Sequence, residues 1–198
     1  MRRRDFITGI ASATAVGPVA AHAQQRAMPV IGLLDFFGPQ PKSPSIEAFR
    51  AGLADGGFIE GTNLSIEYRS AGGNFRLLPS LAADLVGRQV VVIVAVGALG
   101  PARSAKAATS TIPILFIAGF DPVKLGLVDG LDRPGGNATG VSIYTTELLA
   151  KRLEFLRELV PRTNLIALLV NPRSPAADIE TGDMEGEARE SGFRLLTL

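Results

Sequence analysis

The 198-residue sequence has no cysteine, no tryptophan and one histidine, His22. Without cysteine there are no disulfides, thiolate metal sites or cysteine nucleophiles. With one imidazole there is no histidine-based zinc cluster, and if His22 is removed no Ser-His-Asp or Cys-His catalysis remains. No transition-metal site and no cofactor are expected. Charge of either sign is also scarce in excess: 20 basic residues face 19 acidic ones. A near-neutral chain carries no electrostatic case for nucleic acid or an anionic membrane. Beyond the N-terminus no segment is long and apolar enough to cross a bilayer, so no stable membrane insertion is expected.

The N-terminus accounts for His22. Arg2-Arg3-Arg4-Asp5-Phe6-Ile7 leads into a short apolar run ending at Ala21-His22-Ala23. A basic start, an apolar middle and a small-x-small site make an export signal. Arg3-Arg4-x-Phe-Ile resembles the twin-arginine type, and Gly9, Ser12, Thr14, Gly17 and Pro18 dilute the run as that type does. Cleavage is expected after Ala23, giving a periplasmic protein. Removal of three arginines and one aspartate takes the formal net charge from +1 to −1.

The remainder alternates short apolar runs with amphipathic patterns. Pro29–Leu34, Val90–Val96 and Ile112–Ala118 read as strands buried on both faces, and Leu64–Arg69 as a less buried one. Helices are predicted from Ser45 as a cap through Leu53, with Ile46, Phe49 and Leu53 on one face, over Leu78–Leu85, from Pro101 onward, and from Asp121-Pro122 to about Leu131. Asp132–Asn137 is a turn-rich break. Strands at Gly140–Tyr144, Leu165–Val170 and Arg194–Leu198 follow, with helices at Leu149–Val160, whose inner stripe is Leu149, Leu153, Leu156 and Val160, and at Ala176–Ser191 between them. The alternation predicts an α/β fold with a doubly wound parallel sheet. The division is expected as residues 1–23 signal, 24–139 first lobe, and 140–198 the start of a second.

Ligands of such sheets sit beyond the carboxyl ends of the strands. That rule selects Phe36 and Phe37 after the first strand, where adjacent aromatics can stack on a flat ligand or plug the core. It selects Gly97 and Ala98, whose amides can hold a carboxylate or merely form a turn. Asp121 is either a helix cap or a partner for a ligand amine. Tyr144 either faces a cleft or is a half-buried strand residue. Asn171 either donates to a ligand or caps a turn. Gly135-Gly136 lacks a following Gly-Lys-Ser/Thr, and Asp35–Gly38 is no G-x-G-x-x-G, so phosphate and dinucleotide loops are missing.

Several strings together carry a resemblance. They include Met28-Pro29-Val30-Ile31-Gly32, Phe49-Arg50-Ala51-Gly52-Leu53, Glu60–Arg69, Asp121–Val128, Asn137–Val141 and Arg157–Pro161. With these the chain resembles bacterial ABC-transporter substrate-binding proteins of the tryptophan/tyrosine-type periplasmic group, with the type 1 fold. The resemblance implies two lobes joined by a hinge, a small ligand such as an aromatic amino acid held between them, and permease subunits as partners. It implies capture without chemistry. Such proteins run on well past the point where this sequence stops, so a C-terminally truncated second lobe is expected. An exported α/β enzyme and a nonfunctional remnant are the alternatives.

Overall fold

The computed structural model describes residues 28–38, 44–143 and 148–198. The expected signal, residues 1–23, and Tyr144 lie outside the described residues.

Five strands form one parallel sheet in the order β2-β1-β3-β4-β5. They are β1 (Val30–Asp35), β2 (Ser65–Ser70), β3 (Val92–Val96), β4 (Ile114–Ala118) and β5 (Ala138–Ser142). Between them run α1 (Pro44–Asp55), α2 (Leu78–Gly87, after a 3₁₀ turn at Phe75–Leu77) and α3 (Leu99–Ala108). Register explains the two layers. Ile93 pairs with Ile114, and Ile114 with Ala138, placing these residues on one face. That face buries Leu34, Ile93, Ala95, Ile114 and Phe116 against Leu78, Ala82 and Leu85 of α2 and Leu99, Ala102 and Ala105 of α3. Helical spacing of three and four puts each trio on a single stripe.

On the other face, Ile31, Leu33, Ile66 and Val94 meet Ile46, Phe49 and Leu53 of α1. The stripe predicted for α1 is therefore its packing face. Further along that face, Leu115 and Ile117 of β4 and Val141 of β5 stay exposed.

A second unit follows: α4 (Leu149–Leu159), β6 (Leu165–Leu168), α5 (Ala177–Glu190) and β7 (Arg194–Thr197). β6 and β7 pair in parallel as a separate two-stranded sheet. Its small core is Leu153, Ala188 and Phe193, with Ile166, Met184 and Leu195 against it. Of the stripe expected on α4, only Leu153 is buried; Leu156 and Val160 are exposed.

Four expectations shift. The helix after Asp121-Pro122 is absent: residues 121–128 form consecutive turns, in which the Leu127 N–H donates to the Pro122 carbonyl at 2.8 Å. Pro122, Leu127 and Val128 are buried there, and anchoring them to the sheet replaces a regular helix. The strand expected at 140–144 begins earlier, at Ala138, and pairs with β4, so the division expected at 139/140 falls inside β5. Ser45 lies within α1, which already includes Pro44, and so is not its cap. Pro101 is the third residue of α3, whose first turn needs no amide from it.

Candidate functional site

The carboxyl ends of β1, β3 and β4 bring most of the predicted residues to one edge. Of the two adjacent phenylalanines, Phe36 turns inward. It is buried, stacked on Phe75 at 4.0 Å between ring centroids with 22° between planes. Its role is to complete the core, because strand-end backbone geometry sends neighbouring side chains to opposite sides. Phe37 goes the other way and remains 67% exposed, its ring edge-on to Phe36 at 5.1 Å.

Gly97 follows β3 with φ +96°, a backbone that favours glycine. A β-carbon there would lie 2.8 Å from Asp35 Oδ1 and 3.0 Å from the Phe37 ring. The loops after β1 and β3 therefore touch, and only a residue without a side chain fits between them. Ala98, in extended backbone, precedes α3 and supplies no side-chain cap. α3 thus begins two residues after the glycine that packs against Phe37, with no side-chain acceptor from Ala98, and helix N-termini favour anionic groups.

Asp121 caps a turn. Its Oδ1 accepts from the Val123 N–H at 2.8 Å and the Lys124 N–H at 3.2 Å. Asn171 does the same after β6, accepting from the Arg173 N–H at 3.0 Å. For both, the local turn role is the one observed.

Three features went unselected in the sequence. Asp35 accepts from the amides of Phe37 and Gly38. The signal was present: an aspartate two and three residues before those amides is the pattern of a side-chain-capped turn. Phe75 lay in a predicted loop, with nothing to announce its stack on Phe36. Lys124 reaches Asp183 of α5, and Ala176 just before α5 is buried in the core of the first sheet. These contacts join the turns after β4 to the start of α5, so the edges carrying Asp121 and Asn171 belong to segments that meet. Two open concavities lie elsewhere. One, about 470 Å³, is lined by Val160–Thr163, and the other, about 440 Å³, by residues including Arg50, Phe58 and Glu60.

A parallel sheet with loops of this kind gathered at its carboxyl edge, followed by a second unit with its own parallel strand pair, is the architecture of a two-lobed α/β binding fold. The sequence matches the family described as ABC transporter substrate binding protein over residues 42–198, and the chain belongs to that family. It is 29% identical over 157 residues to a tyrosine-binding protein of Clostridioides difficile, covering 77% of this chain and 45% of that one. A crystal structure of a conserved domain protein from Vibrio cholerae superposes with a TM-score of 0.74 at 30% identity, over 86% of this chain and 57% of that one. An ABC domain from Streptococcus pneumonia in complex with L-Trp gives a TM-score of 0.70 at 23% identity, over 86% of this chain and 56% of that one, a likeness of fold. The chain spans about half the length of these relatives.

Proposed function

We propose that this chain captures a small organic solute, of the aromatic amino acid class, at the carboxyl edge of the first sheet, for delivery to the permease subunits of an ABC transporter. The observation that carries the reading is Phe37. It is a large apolar ring left exposed at the edge where such folds bind ligands, against Gly97 two residues before α3. A ring and a row of amides suit the two ends of an aromatic amino acid. The names of two similar proteins, a tyrosine-binding protein and a domain in complex with L-Trp, support the same class.

In this reading Gly97 and Ala98 present amides to the ligand carboxylate, and Phe37 stacks on its ring. Phe36 supports Phe37 from below. Asp121 and Asn171 line the approach from the two segments. Binding is equilibrium capture, and the ligand leaves unchanged. Residues 1–23 act as a twin-arginine-like export signal cleaved after Ala23, which puts the mature chain in the periplasm. Among the described residues no helix is long and apolar enough to cross a membrane.

Calorimetric titration with L-tyrosine, L-tryptophan, L-phenylalanine and L-leucine tests the binding. Saturable binding of the aromatic members is expected, and heat from none of them would overturn it. N-terminal sequencing of exported protein tests the cleavage; a product starting at Met1 would refute it.

A further inference from the structure

Asp35 is the last residue of β1, and three loops meet on it. Its carbonyl accepts from the Ala71 N–H at 2.9 Å, beyond β2. Its side chain divides between the next two amides: Oδ1 accepts from Phe37 at 3.2 Å and Oδ2 from Gly38 at 3.1 Å. Gly97, beyond β3, packs so closely that a β-carbon would lie 2.8 Å from Asp35 Oδ1. The intervening Phe36 completes the tie. Its N–H donates to the Val96 carbonyl at 3.3 Å, and its carbonyl accepts from Gly73 at 2.7 Å. Phe37 is thus exposed in its ring yet held at its backbone. It has Asp35 and Gly97 on one side and the Phe36 ring beneath.

We propose that Asp35 is a positioning residue whose carboxylate, through the Phe37 and Gly38 amides, fixes the Phe37 ring and so sets the preference of this edge for ligands carrying a flat ring. The inference rests on the solute-binding reading above. An exposed ring that must be ordered at each binding event loses affinity to that ordering, and a ring ordered in advance does not. Selectivity for aromatic over aliphatic side chains then depends on a carboxylate that makes no contact with the ligand. Were Asp35 instead to hold a ligand amine directly, its loss would weaken every amino acid alike.

The test uses the 198-residue chain and two readouts. In the first, Asp35→Ala and Asp35→Asn are titrated with L-tyrosine, L-tryptophan and L-leucine. For Asp35→Ala, affinity for the aromatic pair is expected to fall about three- to tenfold, the size of a lost ring–ring contact. Affinity for L-leucine is expected to stay within about twofold, because the amide end of the site is untouched. Asp35→Asn keeps an acceptor for the Phe37 amide and should recover part of the loss. An equal fall for all three ligands, or none, overturns the proposal. The second readout needs no ligand. Phe37→Trp introduces the only tryptophan in the chain. Adding Asp35→Ala or Gly97→Ala to it should lower the anisotropy of that indole and shift its emission. Unchanged anisotropy overturns the proposal on its own. If the wild-type chain binds none of the amino acids, the solute-binding reading fails while the anisotropy still decides whether Asp35 holds the ring. Should Asp35→Ala fail to fold, Asp35→Asn carries both readouts and Gly97→Ala the second.

Discussion

Lys124 places its ammonium 2.5 Å from the carboxylate of Asp183, joining the turns after β4 to the middle of α5 across 59 residues of sequence. Both side chains are partly exposed, so the coupling is expected to be below about 1 kcal/mol. A double-mutant cycle with Lys124→Ala and Asp183→Ala, read by urea denaturation, measures it. The coupling should be detectable at low salt and vanish at high salt. The exchanged pair Lys124→Asp with Asp183→Lys should restore it. No coupling at low salt would show that this pair does not hold the two segments together.

Gly140 lies against β4 with no room for a side chain. A β-carbon there would meet the Phe116 carbonyl oxygen at 2.2 Å and its ring at 2.6 Å. Gly140→Ala should cost about 1–3 kcal/mol, as overpacking does. Gly136→Ala, where nothing lies within 4 Å, should change stability by no more than about 0.5 kcal/mol. Urea midpoints of the two variants make the comparison, and equal midpoints would contradict it.

Asp84 gives an acid-dependent term. It bonds to Arg69 at 2.6 Å and Arg88 at 3.1 Å, and Glu67 bridges the same two arginines. The Arg69 guanidinium first, and Arg88 after it, hold the Asp84 carboxyl below its ordinary value. A lowered carboxyl stabilises the fold above the unfolded pKa of about 4 and loses that effect as pH falls through the folded value. The melting temperature of the wild type should therefore exceed that of Asp84→Asn at pH 6. The gap should close as the pH is lowered toward 3. A gap independent of pH would exclude this origin.

Leu153 is 1% exposed in the three-residue core beneath β6 and β7. Leu153→Ala should cost about 2–5 kcal/mol locally. Hydrogen exchange is the informative probe. Amides of β6 and β7 should lose protection while those of β1 and β3 keep theirs, since the latter rest on separate clusters. Loss of protection throughout would mean that the two units unfold as one.

The strands were legible because burial writes itself as runs of Val, Ile and Leu: β1, β3 and β4 begin within two residues of the positions read, Pro29, Val90 and Ile112, although the second face of β4, expected buried, is exposed at Leu115 and Ile117. The α1 stripe of Ile46, Phe49 and Leu53 was equally plain. What the sequence hid depends on partners distant along the chain. Residues 121–128 have a sound helix start in Asp121-Pro122. Burial of Leu127 and Val128 against the first sheet overrides that local preference. The pairing of Ala138–Ser142 with β4 was hidden by the turn-rich 132–137, which reads as a boundary but is only the approach to a fifth strand. At the carboxyl edge of the sheet, periodicity could not say which of Phe36 and Phe37 turns inward. The stack with Phe75 decides it, and that contact is invisible to any local pattern.

The strand order also has a consequence for synthesis. β1 emerges first and lies inside the sheet, flanked by β2 and β3; β4 then adds to β3, and β5 to β4. After β1, every strand of this sheet finds a neighbour already made. None waits for a segment still within the ribosome, so each pairing closes only the chain made since its partner, and the entropy of that closure grows slowly with length. Growth outward from β1 moves a single open edge, on the β3–β4–β5 side, in step with elongation at about 5–20 residues per second. Chains arrested on the ribosome beyond residue 142 should already resist proteolysis over β1–β3, whereas chains arrested before β3 should not.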